Sequence, residues 1–247
     1  MTESSQTSNT LAPLRNVMSF MTMVDRLQDR GDGLPGMGVF YGPSGFGKSM
    51  AAMYCAMRIE ACLVQCESSW TGAPLCRAIL DELGVKPKNR IWEMSQQIQQ
   101  TLSEANIPLI IDEADYMISK KYVELIRDFY EKSQVPVILI GEEQMPSKLR
   151  QWERINGRLL ERVAAEPLDD ADFSALLAAR CPDLLLAPDL EEAIKRASRG
   201  SARLIVNNLE SVRMQALTHG LDGAVSLSDL GGFQLHDGIP PQIRRFA

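Results

Sequence analysis

The stretch GPSGFGKS, residues 42–49, decides the fold of this chain. An apolar run, MGVFY, comes directly before it, and the good helix formers MAAMYCAMRIEA follow it. A glycine-rich loop between a strand and a helix is the geometry that binds phosphate groups, so the sequence predicts a nucleoside triphosphate site. The pattern GxxxxGK[ST] is matched by Gly42, Gly47, Lys48 and Ser49.

The residues of this loop have separate predicted tasks. The glycines allow backbone N–H groups to curl around phosphates, Lys48 neutralises the β and γ oxygens, and the Ser49 hydroxyl coordinates Mg²⁺. ATP and Mg²⁺ are therefore the expected cofactors, and the alternative is a glycine-rich turn that happens to precede a lysine. The predicted nucleotide-binding residues of the loop are Gly42, Pro43, Ser44, Gly45, Phe46, Gly47, Lys48, Ser49 and Met50.

Strands alternate with helices around this loop. Three further apolar runs, ACLVQCE, IPLIIDEAD and VPVILIG, are typical of buried strands, and helical patterns separate them. One such pattern, residues 118–132, places apolar residues on one face and Lys120, Lys121 and Arg127 on the other. We therefore predict an α/β fold in which a parallel sheet lies between helical layers.

The pattern changes after Pro167. Three helical segments and no convincing strand lie between Asp169 and His219. The predicted organisation is an N-terminal tail and helix over residues 1–35, a P-loop ATPase core over 36–168, and a small helical lid with a C-terminal tail over 169–247.

Composition sets limits on partners and location. The 247 residues carry a formal net charge of −6, so DNA could be bound only through a local basic strip. No apolar run approaches the roughly 20 residues that span a bilayer, and the polar N-terminus lacks a secretion signal. We expect a cytoplasmic protein that makes no membrane contact. The five cysteines have no paired CxxC spacing, which favours reduced core thiols over a zinc site.

A second motif ends the strand LIIDE, residues 109–113. Asp112 suits the Mg²⁺ shell, and Glu113 could orient and deprotonate an attacking water. Taken alone, an acidic pair after a strand could equally mark the start of a helix, where acids are favourable. Together with the loop, the pair favours a water-activating ATPase over a small-molecule kinase, the alternative from another class.

Arginines provide a third and a fourth element. Arg154, Arg158 and Arg162 recur every four residues in RINGRLLERV, which predicts one face of a short helix. An arginine that reaches a neighbour's γ-phosphate stabilises the transition state, and Arg158 is our first choice, although arginines also occur at this spacing on solvated helices. Arg203 lies in the predicted first turn of GSARLIVNNLE, where a cation opposes the helix dipole unless an anion such as phosphate is near. The alternative is an exposed arginine that tolerates this cost.

These four elements, in this order over roughly residues 36–220, resemble the AAA+ ATPases. The resemblance implies that Arg203 is the lid arginine called sensor 2 and binds the nucleotide. It also implies that the arginine finger acts in trans, so that ATP lies between the subunits of a ring or helical filament.

A finer resemblance lies in three stretches, residues 36–56, 68–85 and 112–145, which are similar to the phage Mu B group of transposition ATPases and related target-selection ATPases. It implies a protein that polymerises on double-stranded DNA with ATP and recruits and activates a transposase. Residues 1–35 leave no room for the helix-turn-helix domain of the Mu B protein. The sensor 1 position, just past the VILIG strand, commonly holds a small polar residue in the family, whereas Glu142, Glu143 and Gln144 follow Gly141 here.

DNA contact is therefore expected from the core. Backbone phosphate contacts carry affinity without reading sequence, which suits indiscriminate target choice. A solvated loop and an ordinary helix exterior are the alternatives for the two clusters. A helicase or clamp loader of the same superfamily remains an alternative function, as does a nucleotide switch that barely hydrolyses. The candidate DNA-binding residues are Lys86, Lys88 and Arg90 in one cluster and Lys120, Lys121 and Arg127 in the other.

Overall fold

The structure is a computed structural model that describes residues 14–239. The expected N-terminal tail, residues 1–13, and residues 240–247 of the C-terminal tail lie outside the described residues. The described residues divide into two compact units: residues 16–166 form the first, and residues 14–15 with 167–239 belong to the second.

The first unit is built on one parallel sheet of five strands in the order β2-β3-β4-β1-β5. All residues of β3 and β4 are buried, as expected for central strands covered on both faces. Parallel pairing brings the carboxyl ends of β1, β4 and β3 to one edge of the sheet. The strands are β1 (Met37–Tyr41), β2 (Cys62–Gln65), β3 (Leu109–Asp112), β4 (Val137–Gly141) and β5 (Leu159–Ala164).

Helices pack around this sheet, and the core joins sheet and helix residues. Phe20 of the first helix, for example, packs edge to face on Phe40 of β1, with ring centroids 5.1 Å apart. The helices are α1 (Arg15–Gln28), α2 (Lys48–Ile59), α3 (Gly72–Glu82), α4 (Ile91–Ala105), α5 (Asp115–Ser119), α6 (Val123–Ser133), α7 (Met145–Leu149) and α8 (Glu153–Asn156). The predicted α/β fold with a parallel sheet is confirmed.

The helix expected over residues 118–132 is observed from Val123 onward as α6, but it is interrupted before that point, because the chain turns between α5 and α6. Lys121 takes a left-handed backbone conformation, with φ of 65°, and the N–H of Tyr122 donates to the carbonyl of Met117 at 2.8 Å. The turn contains neither glycine nor proline, so the sequence carried no signal for it. The predicted single basic face is therefore divided between two elements.

The helical face expected for Arg154, Arg158 and Arg162 is also wrong. The short α8 ends at Asn156, and residues 159–164 form β5 instead. The partner of this strand is β1: the N–H of Met37 donates to the carbonyl of Arg158 at 3.0 Å, and Val39 is paired with Arg162. The pairing surface comes from a distant segment, which local periodicity does not show.

In the part of the chain that the structure describes, the second unit contains three α-helices, α9 (Asp170–Arg180), α10 (Pro188–Ser198) and α11 (Ala202–His219), and a 3-10 helix, Leu227–Leu230. Ser201 caps α11 by accepting a hydrogen bond from the N–H of Leu204 at 3.4 Å. The expectation of no strand here is wrong, because two-residue strands β6 (Leu185–Leu186) and β7 (Ala224–Val225) form a short parallel pair. Within residues 14–239, no helix has both the length and the apolar character needed to cross a membrane.

Candidate nucleotide-binding site

The loop between β1 and α2 has the backbone shape that its glycines permit. Gly47, the N-cap of α2, has φ of 83°, in the left-handed region that favours glycine. At Gly42 the chain passes so close to the segment after β5 that an added Cβ would lie 3.1 Å from the side chain of Ala165. Both positions therefore favour glycine, and the loop leads directly into the N-terminus of α2, where helix amides have no partner within the helix and can bind phosphate.

The side chain of Lys48, at the end of this loop, is hydrogen-bonded to the start of the loop. Its ammonium donates to the carbonyls of Gly42 at 2.7 Å and Pro43 at 2.8 Å. Burial lowers its pKa, while the carboxylates of Glu113 and Asp112 act in the opposite direction. The positive charge of Lys48 thus interacts electrostatically with both acids.

The two acids lie at the end of β3, where Asp112 is the last residue of the strand and Glu113 comes directly after it. Asp112 is buried, at 4% exposure, and its Oδ1 accepts a hydrogen bond from the N–H of Glu113 at 2.9 Å. Glu113 adopts a left-handed backbone, with φ of 53°, and its side chain is half-buried. Burial raises the pKa of Glu113, and the charge of Asp112 raises it further, whereas Lys48 opposes both. A carboxylate with a raised pKa is a better proton acceptor.

The donor set fits ATP with Mg²⁺. A serine hydroxyl and a carboxylate are hard oxygen ligands of the kind Mg²⁺ prefers, and Ser49 is exposed at the first turn of α2. Ser49 and Asp112 would hold the ion, and the loop amides with Lys48 would hold the phosphates. All of these residues belong to the first unit.

Asn16 is a residue of this site that sequence analysis missed. It is 2% exposed, and its amide nitrogen donates to the carbonyl of Phe46 in the loop at 2.9 Å and to that of Glu166 at 2.8 Å. Its carbonyl oxygen accepts from the N–H of Glu166 at 2.9 Å. Asn16 therefore ties α1, the phosphate loop and the segment after β5 together. A polar residue among the apolar positions of a predicted helix was the signal that could have found it.

Asp115 and Lys148 were also missed. The Oδ2 of buried Asp115 accepts from the N–H of Glu142 at 2.7 Å, and its Oδ1 accepts from the ammonium of Lys148 at 2.7 Å. Glu142, at the expected sensor 1 position, has a carboxylate oxygen 3.7 Å from the same ammonium. Its negative charge raises the pKa of Lys48 and of Glu113. Its neighbours Glu143 and Gln144 are exposed. The ends of β3 and β4 are thereby joined through charged groups.

The candidate arginine fingers lie elsewhere. Arg158 stands where β5 begins, at the edge of the sheet opposite to the phosphate loop, and its guanidinium pairs with Glu131. Arg154 is exposed on α8. Arg203 is exposed in the first turn of α11, which belongs to the second unit. Within the first unit Arg158 therefore lies away from the loop, and the catalytic roles of all three arginines stay predictions.

The two basic clusters differ in whether their cations are exposed or bonded to other groups of the protein. Lys86, Lys88 and Arg90 are exposed between α3 and α4. In the other cluster, the Lys120 ammonium donates to the carbonyls of Ser68 and Trp70. In that second cluster Lys121 is exposed, while Arg127 is held by ion pairs with Glu124 and Asp128.

Comparisons with known proteins agree with this geometry. Residues 32–149 match the model of a family described as "AAA domain". The fold is similar to that of Cdc6p from Pyrobaculum aerophilum, with a TM-score of 0.61 at 14% identity over 87% of this chain and 66% of that one. It is also similar to Orc1 from Aeropyrum pernix, solved in complex with DNA, with a TM-score of 0.64 at 15% identity over 93% of this chain and 66% of that one. The comparison with curated proteins finds no match.

The parallel sheet, the phosphate loop and the acidic strand end define a P-loop nucleotide-binding protein. More particularly, residues 32–149 match the model of the AAA domain, and the fold is similar to the folds of Cdc6p and Orc1. The chain spans just under two thirds of the length of the two solved structures.

Proposed function

We propose that this protein is an ATP-dependent AAA+ ATPase that binds DNA without sequence specificity, assembles on target DNA, and recruits and activates a transposase. The observation that carries its ATPase half is that the phosphate loop with Lys48, after β1, and the acids Asp112 and Glu113, at the end of β3, lie at the same edge of the parallel sheet. The AAA domain match supports it and favours an ATPase over a small-molecule kinase. We place the protein in the cytoplasm, away from membranes.

Hydrolysis uses residues of the first unit for binding and proton transfer. Lys48 and the loop amides hold the phosphate oxygens, while Ser49 and Asp112 hold Mg²⁺, which supplies positive charge against the phosphates when bound. Glu113 orients the attacking water and accepts its proton, because its raised pKa makes it a stronger base than an ordinary glutamate.

A neighbouring protomer completes the active centre. Arg158 stands at the sheet edge away from its own phosphate loop, which suits contact with another protomer's nucleotide. Arg154, exposed on the adjacent helix, is the second candidate finger. Arg203 supplies the lid arginine. ATP then joins subunits into a helical filament or ring on duplex DNA, and hydrolysis takes the assembly apart.

DNA binding and the transposase are the finer parts of the proposal. The exposed cluster Lys86, Lys88 and Arg90 supports contact with phosphates, and the fold's likeness to an Orc1 protein solved with DNA supports duplex DNA as the partner. Recruitment of a transposase is supported by the resemblance to the Mu B group.

The decisive test is complementation between two inactive variants. Lys48→Ala removes the phosphate contact, and Arg158→Ala removes the finger, so each pure variant should hydrolyse ATP poorly. A mixture should recover a measurable fraction of wild-type turnover, because one protomer contributes an intact loop and the other an intact arginine. Arg154→Ala replaces Arg158→Ala in a parallel mixture to identify the finger. Turnover per protomer that stays constant on dilution to single copies would contradict a shared active centre.

A second candidate function is that of an initiator, helicase or clamp-loader ATPase, which the likeness to Cdc6p and Orc1 favours. Such a protein acts on a partner ring instead of coating DNA. Capture of a replicative helicase in place of a transposase, with no filament on DNA under electron microscopy, would support this candidate.

A further inference from the structure

The segment between α3 and α4 and the first turn of α4 form a surface of mixed character, here called the basic loop, residues 85–92. Half-buried Val85 and Pro87 alternate with exposed Lys86 and Lys88, and Asn89 and Arg90 are exposed as well. Two large apolar side chains protrude next to the cations: Ile91 is 42% exposed and Trp92 is 56% exposed.

The charges of this loop are available to a partner. Within residues 14–239, no carboxylate lies within ion-pair distance of Lys86, Lys88 or Arg90. Three such cations within five residues are a local positive strip on a chain whose formal net charge is −6. A polyanion is the complementary ligand.

The backbone of the loop is held in place. The side chain of Gln97 on α4 donates to the carbonyl of Lys86 at 3.0 Å and accepts from the N–H of Lys88 at 3.0 Å. Glu93 accepts from the N–H of Arg90 at 3.3 Å, which fixes the start of α4. The cations and the two apolar side chains are therefore presented from a prepared surface, so less ordering entropy is lost on binding.

We propose that the basic loop grips duplex DNA with its cations on the phosphates and inserts Trp92, supported by Ile91, at a base step of the minor groove. This inference rests on the proposed DNA-binding function and adds how the duplex is selected. Apolar wedges beside basic residues partly unstack a base step and bend the duplex. Because this deformation costs less at flexible or mismatched steps, the protein selects its target by deformability and makes no base-specific hydrogen bond.

The test measures the affinity of the full chain, with a non-hydrolysable ATP analogue and Mg²⁺, for two 30-bp duplexes that differ only in a central mismatch. The wild type should bind the mismatched duplex roughly 3- to 10-fold more tightly, since the wedge then pays less unstacking energy. Trp92→Ala should bind both duplexes equally, and Trp92→Phe should keep part of the preference. Met57→Ala, at a side chain 78% exposed on α2, is the matched apolar control and should leave the preference unchanged.

The charges are tested separately. Lys88→Glu should weaken binding to both duplexes to the same degree and reduce the slope of log affinity against log salt by about 0.9 for the lost phosphate contact. Lys132→Glu, at an exposed position of α6, controls for net charge. Gln97→Ala should weaken binding to both duplexes while keeping the salt slope, since it removes the support and no charge.

Each outcome has one meaning. If the wild type binds neither duplex, the proposed function fails and this inference fails with it. If the wild type binds but Trp92→Ala keeps the mismatch preference, the wedge is wrong and the proposed function stands. If Trp92→Ala or Lys88→Glu abolishes ATP-dependent assembly without DNA in sedimentation, the loop is a protomer contact and the inference is overturned. Tighter binding of single-stranded DNA or RNA than of either duplex through Trp92 overturns it as well.

Discussion

Asp115 and Lys148 form an ion pair across the ends of two strands, with 2.7 Å between the carboxylate and the ammonium. The side chain of Asp115 is 9% exposed and that of Lys148 is 31% exposed, so the pair lies at the margin of the core. Through its other oxygen Asp115 holds the N–H of Glu142. The geometry of the nucleotide site therefore depends on a carboxylate that is not among the groups predicted to bind ATP or Mg²⁺.

Lys148→Met should lower the free energy of unfolding by roughly 1–3 kcal/mol, because it leaves the Asp115 carboxylate charged and without its cation. Urea denaturation measures the change. Lys132→Met, at an exposed lysine of α6, is the control and should change stability by less than about 0.5 kcal/mol. Equal unfolding of the two variants would show that the ion pair contributes nothing.

Gly141→Ala should be more damaging than its size suggests. A Cβ at this position would lie 2.0 Å from Oδ2 of Asp115 and 2.1 Å from Cε of Met145. We expect a loss of about 2–3 kcal/mol in unfolding free energy from overpacking. Gly31→Ala, whose Cβ would meet only a Leu34 methyl at 3.9 Å, should be tolerated. Wild-type stability of Gly141→Ala would mean that Asp115 is not locked against β4.

Substitutions at Lys48 and Glu113 should have different effects, one on ATP binding and the other on the rate of hydrolysis. Glu113→Gln preserves shape and removes the base, so ATP should still bind while kcat falls by roughly 10²- to 10⁴-fold. Lys48→Ala should instead weaken ATP binding, because the phosphate charge loses its partner. Nucleotide affinity is measured by fluorescence of a labelled ATP, and kcat by phosphate release. Unchanged turnover of Glu113→Gln would indicate that another group activates the water.

Asn16→Ala should weaken ATP binding although Asn16 is not among the residues predicted to bind ATP or Mg²⁺. The substitution leaves the Phe46 carbonyl and the Glu166 backbone groups without their buried partner. We expect ATP affinity to fall roughly tenfold, equivalent to about 1.4 kcal/mol, as the phosphate loop loses its tie to α1. Asn207→Ala, at an exposed position of α11, is the control. The same measurement of labelled ATP tests it, and equal affinity of the two variants would exclude the positioning role.

The buried thiols predict a loss of stability at high pH. Burial raises the pKa of Cys62, Cys66 and Cys76 to about 12 each, from an ordinary value of 9.0. The folded state therefore keeps these thiols protonated while the unfolded state ionises, so their stabilisation is full below pH 9 and declines as pH rises toward 12. At pH 10 each thiol lowers the free energy of unfolding by about 1.4 kcal/mol relative to neutral pH.

Cys76→Ala provides the measurement. Under reducing conditions, urea denaturation at pH 7.5 and pH 10 gives the drop in stability for the wild type and the variant. The variant should show a drop that is smaller by about 1.4 kcal/mol, whatever its stability at pH 7.5. Identical drops would mean that the Cys76 thiol does not titrate differently on unfolding.

Local patterns were sufficient for the elements on which the nucleotide site is built. The helix expected after the phosphate loop is observed as α2, and the four strands expected up to Gly141 are all present. These segments are strongly periodic or strongly apolar, and their ends carry glycine or acidic signals. The α/β fold class followed from the same patterns.

Distant contacts decided what these patterns missed. β5 forms because β1 offers it a pairing edge, and the turn at Lys121 forms because Tyr122 closes it on Met117. The partner of Arg158, a residue 27 positions away, was equally invisible in its own stretch.

The sequence by itself determined that this chain carries a phosphate loop with Lys48, followed by an acidic strand end with Asp112 and Glu113. Those features are local, since a loop motif and a strand end need only a few neighbouring residues to be recognised. Only the tertiary structure decided that Asn16 supports the loop and that Asp115 with Lys148 links β3 to β4. The physical reason is that such polar side chains become identifiable only when folding buries them beside particular backbone groups that they alone can satisfy.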